Sequence, residues 1–168
     1  MKGGDGGASQ TCTQLDFTQI YYRNVSSVYR VCYSFMKNKP EAEDMVQETF
    51  MRLIASGQTF ENERHEKAWL IVTASNLCKD ALKKWWRKHE DLEDYANILP
   101  AADPKEDSVV EAVLNLPPKY KDVVYLYYYE GYTTAEIAKH LKSAEATIRS
   151  RLSRARNILK DQLGGDFE

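Results

Sequence analysis

Arg149, Arg151, Arg154, Arg156 and Lys160 fall within a single short stretch, with no acidic residue among them. Cations unrelieved by acids are suited to holding phosphates, because each one neutralises a charge on a nucleic-acid backbone. Ile148, Leu152, Ala155 and Leu159 are interleaved with them at helical spacing. The cations therefore share the outer face of an amphipathic helix that starts near Glu145. Just before it, Thr133-Thr134-Ala135-Glu136 has the spacing of a capping box, and Ile137, Ala138 and Leu141 form one face of a shorter helix. Lys142-Ser143-Ala144 separates the two. A short buried helix leading into a basic exposed one is the sequence form of a helix-turn-helix that reads duplex DNA. A helical hairpin with a solvated basic face is the plainer alternative, and the unbroken run of cations weighs against it.

A second constellation lies upstream. Over Glu66–Lys88 the periodicity predicts a helix with Leu70, Ala74, Leu77, Ala81, Leu82 and Trp85 inward. Its other side carries Trp69, Thr73, Asn76, Lys79, Asp80, Lys83 and Arg87. Cations among aromatic rings suit single-stranded nucleic acid, where cations follow phosphates and rings stack on unpaired bases. A tryptophan on a helix is more often core than platform, so Trp69 is read as partly structural. The polar loop Gly57–His65, with Phe60 inside it, precedes this helix and has the character of a binding loop on a rigid frame.

The third constellation is acidic. Pro40 to about Ala55 reads as a helix burying Ala42, Met45, Val46, Phe50, Leu53 and Ile54. Dipole stabilisation accounts for Glu41 and Glu43 in its first turn, but Asp44, Gln47 and Glu48 carry the polar face further. A protein partner with a basic surface fits that extension.

The frame that positions these groups is predicted to be all-α. Ile20, Val28, Val31, Cys32 and Phe35 form the stripe of a first helix, which Asn38-Lys39-Pro40 ends. After His89 come Glu90, Asp91, Glu93, Asp94, Asp103, Glu106, Asp107 and Glu111 against the single cation Lys105, which reads as an extended acidic linker. Val109, Val110, Val113 and Leu114 start a short helix ended by Pro117-Pro118. Lys119–Glu130 is then helical, with Val123, Val124 and Tyr127 inward and Gly131 as its cap. The tyrosine-rich run would alternatively suit a strand, but its closeness to the helix-turn-helix favours helix. The Gly-rich segment before Gln14 reads as a disordered tail.

Composition narrows the function classes. The 168 residues carry a net charge of −2, so basic patches act locally rather than through a general polycation. Cys12, Cys32 and Cys78 lack paired spacing, and the last two are expected to be buried free thiols. The three histidines complete no metal cluster with them. No nucleophile constellation, phosphate loop, leader or membrane-length apolar run is visible. The expectation is a soluble cytoplasmic protein that uses no cofactor or metal and makes no membrane contact of its own.

Taken in order, several blocks carry a family pattern: Glu41-Ala42-Glu43-Asp44-Met45-Val46-Gln47-Glu48-Thr49-Phe50, Lys67-Ala68-Trp69-Leu70, Ala74-Ser75-Asn76-Leu77, Leu116-Pro117-Pro118-Lys119-Tyr120, Glu130-Gly131-Tyr132-Thr133, Glu136-Ile137-Ala138 and Thr147 through Arg156. With them the chain resembles the extracytoplasmic-function (ECF) class, group four, of the sigma-70 family of bacterial RNA polymerase sigma factors, from about Phe17 to Leu163. The resemblance implies a transcription initiation factor, not an enzyme, with two helical domains. Residues 14–89 would be sigma region 2, which binds core and melts the minus-ten element. Residues 108–163 would be region 4, whose helix-turn-helix reads the minus-thirty-five element. Residues 1–13 and 164–168 would be tails and 90–107 the acidic linker, threading toward the RNA exit path.

By resemblance, Glu41, Asp44, Gln47, Glu48 and Arg52 would meet the β′ clamp helices of the polymerase core, and region 4 would touch the β flap. Phe60, Asn62, Glu63, Trp69, Asn76, Lys79, Lys83 and Arg87 would hold minus-ten DNA, single-stranded once melted. Lys139, Lys142, Thr147, Arg149, Ser150, Arg151, Ser153 and Arg154 would hold the double-stranded minus-thirty-five element. Helix geometry puts Arg149, Ser150 and Ser153 at base edges, with Arg151 and Arg154 at phosphates. An anti-sigma factor is a further partner common in the family. One departure is local: the family usually has Gly followed by an apolar residue in the turn, where this chain has Lys142 and Ser143. A shifted or irregular turn is expected, with Ser143 available to cap the second helix. Two other readings stand beside this one: a helix-turn-helix regulator whose N-terminal part only dimerises or senses, and a small helical enzyme. The acidic helix and the Trp-bearing basic helix are not needed by the first, and no catalytic spacing supports the second.

Overall fold

The computed structural model describes residues 14–89 and 108–164, and every regular element among them is helical. The expected N-terminal tail, the acidic linker and the end of the C-terminal tail lie outside the described residues. Helix α1 spans Gln14–Met36, and its predicted stripe is wholly buried: Ile20, Val28, Val31, Cys32 and Phe35. Lys37 leaves it at φ 60°. Helix α2, Lys39–Ser56, starts with Pro40 in its first turn and is capped by Asn38, whose Oδ1 accepts the Glu41 amide at 3.0 Å. Gly57 closes it in the left-handed region, where a side chain would be strained.

One inward assignment on α2 is corrected. Ile54 is 61% exposed, and Thr49 is buried instead, its hydroxyl donating to the Met45 carbonyl at 2.7 Å. Ile54 lies about 80° around the helix from Val46, beyond the edge of the stripe formed by Ala42, Val46, Thr49 and Leu53.

Helix α3 spans Glu63–Lys88 and starts earlier than its apolar period suggests. Asn62 is its N-cap, with Oδ1 accepting the His65 amide at 2.8 Å, so the polar loop ends at Asn62 and Glu63 belongs to the helix. The anchor between α1 and α3 is polar. Glu66, only 4% exposed, accepts from Arg23 Nε at 2.7 Å and NH2 at 2.6 Å and from Asn24 Nδ2 at 2.6 Å. A buried carboxylate with three donors is satisfied, and nothing apolar could replace only one partner without leaving the others stranded.

The C-terminal unit begins with α4, Ser108–Leu114, and α5, Pro118–Val124. The chain then widens into one π-helical turn, Tyr125–Tyr129, closed by the Glu130 amide on the Tyr125 carbonyl at 3.1 Å. The extra residue in that turn shifts the helical phase. Leu126 is buried and Tyr127 is exposed, correcting the inward placement of Tyr127. Helices α6, Thr134–Leu141, and α7, Glu145–Gln162, form the expected pair. The capping box is present in both directions: Thr133 Oγ1 accepts the Glu136 amide at 3.2 Å, and Glu136 Oε2 accepts the Thr133 amide at 2.8 Å. Lys142 adopts φ 52°, a left-handed position that costs a non-glycine residue about 1 kcal/mol. The turn keeps its course because the Ser143 amide reaches the Ala138 carbonyl at 3.0 Å. Ser143 does not cap α7; the cap position is Ala144, which contributes no side-chain bond.

Replacing Glu66 by Ala should lower unfolding stability by about 3 kcal/mol, since it strips a buried acceptor from the three donors of Arg23 and Asn24. Arg23→Ala should cost less, because Arg23 is itself 37% exposed. Urea unfolding of the three proteins followed by circular dichroism checks the order.

Candidate nucleic-acid interface

Helix α7 is held by Ile148, Leu152 and Ala155, all buried against α5 and α6. That burial turns Thr147, Arg149, Ser150, Ser153, Arg154 and Arg156 outward, and all six are exposed. Lys139 and Lys142 are exposed on the preceding helix and turn. Arg151 is half-buried. The guanidinium of Arg149 donates from NH1 to Glu145 Oε1 at 3.1 Å, and that of Arg156 donates to the Tyr128 hydroxyl at 3.1 Å. A hollow of about 350 Å³ beside the helix is lined by Thr147, Ser150, Arg151, Arg154 and Lys119. Lys119 was not among the DNA-binding residues expected from sequence. Its cation stands in α5, and only the packing of α5 on α7 brings it to this face.

The residues assigned to the polar loop and α3 are placed less uniformly. Phe60 packs edge-on against Trp69 at 5.8 Å and against His65 at 5.5 Å, so Trp69 is half-buried. Asn62 uses its carbonyl oxygen as a cap, and Glu63 stands 3.7 Å from Arg23. Asn76, Lys83 and Arg87 are exposed. Trp86, not Trp85, is the more exposed ring at 53%; Trp85 stacks on His89 at 4.3 Å. A cleft of about 560 Å³ is lined by Lys79, Lys83, Trp86, Arg87, Lys119 and Arg151, with no acid in its wall among the described residues. It joins cations of α3 to one of α7.

On α2, Glu41, Asp44, Gln47 and Arg52 are exposed, and Glu48 lies 4.0 Å from Arg52 across one turn. Met51 and Ile54 share this side at 62% and 61% exposure. Sequence reading missed the apolar component, whose signal was Met51 falling outside the buried stripe. Gln47 also lines an open groove of about 720 Å³ between α1 and α2, together with Tyr21, Val25, Tyr29 and Glu43.

The two helical units are packed together. Lys79 of α3 is ion-paired with Asp122 of α5, which is fully buried. Lys121 donates to the backbone carbonyls of Ser34 and, at 2.8 Å, Leu114. Arg64 makes a two-pronged pair with Glu136 at 2.8 and 3.1 Å and donates to the Gly131 carbonyl at 3.2 Å. Its guanidinium also lies over the Tyr132 ring at 4.1 Å. Lys67 meets Glu130 at 3.4 Å, and the rings of His65 and His140 stack at 5.8 Å.

Two family models match the chain: sigma-70 region 2 over residues 20–88 and sigma-70 region 4 over residues 106–159. The ECF RNA polymerase sigma factor SigW of Bacillus subtilis is 30% identical over 166 residues, covering 88% of this chain and 87% of that protein. SigE of Mycolicibacterium smegmatis, also an ECF RNA polymerase sigma factor, is 33% identical over 86% of this chain and 60% of its own length. Among solved structures, the sigma factor RpoE in complex with the anti-sigma factor NepR from Bartonella quintana superimposes with a TM-score of 0.71 at 28% identity. That likeness covers 90% of this chain and 99% of the other. The chain belongs to the ECF sigma factors.

As a member of that family the protein is a transcription initiation factor, with α1–α3 in region 2 and α4–α7 in region 4. Among the described residues no helix is long and apolar enough to cross a membrane. The docked arrangement of this sigma factor occupies part of its own cationic surface, since Lys79 can meet a phosphate only after leaving Asp122. Burial also shapes the titration of the contact. Glu136 is held down to about 2, mainly by the Arg64 hydrogen bond and then by the Thr133 amide. Burial pushes Lys121 down to about 7, with Lys37 nearby acting in the same sense. His140 is also lowered, first by burial and then by His65.

Lys121 should therefore bind its proton more weakly in the packed protein than in the unfolded chain. Between its packed value and its ordinary value near 10.5, only the unfolded chain carries the proton, so stability rises with pH in that window. The contribution is lost as pH falls through about 7. Unfolding free energy should climb from about pH 7 to about pH 8, below the ordinary thiol and tyrosine pKa values. Lys121→Met should flatten the climb; denaturant titrations of both proteins at four pH values measure it.

Proposed function

We propose that this sigma factor binds RNA polymerase core through α2, reads an upstream duplex element with α7 and holds unpaired downstream bases on the polar loop and α3. The observation that carries the reading is the helix-turn-helix itself: a capped α6 and an α7 whose buried stripe leaves Arg149, Ser150, Ser153 and Arg154 outward together. The domain limits proposed from sequence, 14–89 for region 2 and 108–163 for region 4, follow from the same division. The N-terminal part of such a helix enters the major groove, so Arg149, Ser150 and Ser153 meet base edges while Arg151, Arg154, Lys119, Lys139 and Lys142 hold phosphates. The exposed Asn76, Lys83 and Arg87 suit a displaced strand, with Phe60 and Trp69 forming the wall that shapes the loop. Lys79 joins them after exchanging Asp122 for phosphate. Asn62 and Glu63 act chiefly by starting α3.

Opening the duplex costs a few kcal/mol per unstacked base, and the captured bases and phosphate contacts offset that cost. The chain supplies binding and deformation energy, and bond-making belongs to the polymerase; the protein works without cofactor or metal, in the cytoplasm where its DNA lies. An anti-sigma partner is proposed from the similarity to a sigma factor solved with one. A helix-turn-helix regulator acting without polymerase is disfavoured by the exposed acidic and apolar face of α2, which operator binding does not need.

Charge reversal at Asp44 and Glu48 should weaken capture of bacterial core polymerase at least tenfold while leaving helicity unchanged, a loss matching buried charge contacts across an interface. Undiminished capture would overturn the assignment of α2. In holoenzyme, Arg149→Ala should relax preference at one upstream base pair by roughly 1–3 kcal/mol. Arg154→Ala should instead weaken binding evenly and lower the salt slope by about one unit. Titrations on single-base promoter variants at two salt concentrations separate the two.

A further inference from the structure

Glu145 is the one carboxylate on the early turns of α7, on the side where the upstream element is to be read. Its Oε1 accepts the Thr134 hydroxyl at 2.8 Å and Arg149 NH1 at 3.1 Å. Thr134 begins α6, where the capping box holds it. Thus one oxygen ties the start of the supporting helix to the start of α7 and to the arginine one turn on. The pair is exposed, with Arg149 at 61% and Glu145 at 42%, and exposed pairs of this spacing add little stability. A carboxylate facing DNA phosphates also works against affinity. The dipole favours a carboxylate in the first turn of α7, but it does not require the shared bonds to Thr134 and Arg149, whereas orientation of the arginine uses both. An arginine on a flexible stem reads guanine only when two donors of one guanidinium edge meet O6 and N7. A hydrogen bond at NH1 restricts the side chain and leaves the Nε–NH2 edge to supply those two donors.

We propose that Thr134 and Glu145 are positioning residues that aim Arg149 and thereby set the base this sigma factor selects in its upstream element; this rests on the reading of α7 given above. The carboxylate trades general affinity for discrimination, as unfavourable contacts do in specific interfaces. The charge pattern makes a distinctive signature: loss of the carboxylate flattens preference at one base pair while total binding stays equal or grows. A merely structural residue would lose both together.

The test uses the full chain reconstituted with bacterial core polymerase and a promoter library randomised across the upstream element. Selected sequences and total binding are compared for the parent, Glu145→Gln, Thr134→Val, Arg149→Ala and Glu145→Gln/Arg149→Ala, with thermal melting of each. Glu145→Gln should reduce preference at the Arg149 position by about fivefold, part of what a bidentate contact supplies, without lowering total binding. Thr134→Val should do the same more weakly. In the Arg149→Ala background the Glu145 change should have no further effect on preference. If Glu145→Gln alters preference in that background as well, Glu145 reads a base directly and the positioning role is overturned. If Arg149→Ala flattens one position while Glu145→Gln and Thr134→Val keep the parent preference, this inference fails alone. If Arg149→Ala retains the parent preference, the reading of α7 fails and the inference with it.

Discussion

Asp122 sits fully buried between the two halves of the molecule, and the arrangement of the rest depends on its having Lys79 beside it. A carboxylate withdrawn from water is tolerable only with a cation and hydrogen bonds in place. Lys79 comes from α3 and Asp122 from α5, so satisfying this charge requires region 4 to lie on region 2. Lys121, the adjacent residue, reaches the other way, giving its donors to carbonyls of Ser34 in α1 and Leu114 in α4. Consecutive residues of one short helix thus both reach region 2, Asp122 as an acceptor and Lys121 as a donor. Around them, Arg64 with Glu136 and Lys67 with Glu130 repeat the theme at more exposed positions, where each pair contributes less.

The basic side of α3 consequently has two claimants. Lys79 and Lys67 serve acids of region 4 in the packed molecule, while the same helix offers Asn76, Lys83 and Arg87 outward. A surface proposed to hold phosphates attracts carboxylates of its own chain by the same electrostatics. Several of these contacts are polar and partly exposed, as at Arg64, Glu136 and Lys67, which is the character of interfaces between domains that move relative to one another.

Much of this was legible in the sequence, for reasons that differ by element. The stripes of α1 and of the helix-turn-helix are sustained over several turns, so Val28, Cys32, Ile137 and Leu152 were placed inward without ambiguity. The Thr133–Glu136 box was legible because its partners are local. Ile54 and Tyr127 were misplaced where a local feature outran the period: one lies beyond the edge of the stripe near a helix end, the other lies within a π-helical turn that shifts the phase. Glu66 and Asp122 were invisible because a buried charge looks like a surface one until its distant partner is known. The face of α7 was readable from spacing, but Lys119 joined it only through packing, and the tie between Thr134 and Glu145 crosses a turn whose shape the left-handed Lys142 sets.

Glu136 holds two posts at once. Its carboxylate completes the capping box of α6 and also receives Arg64 from the other half of the molecule. When Arg64 withdraws, the Thr133 amide remains, so the start of the helix stays fastened. Separation of the halves is therefore an undocking of finished parts rather than a local melting. On the function proposed above, the start of the supporting helix is already fastened before α7 meets DNA.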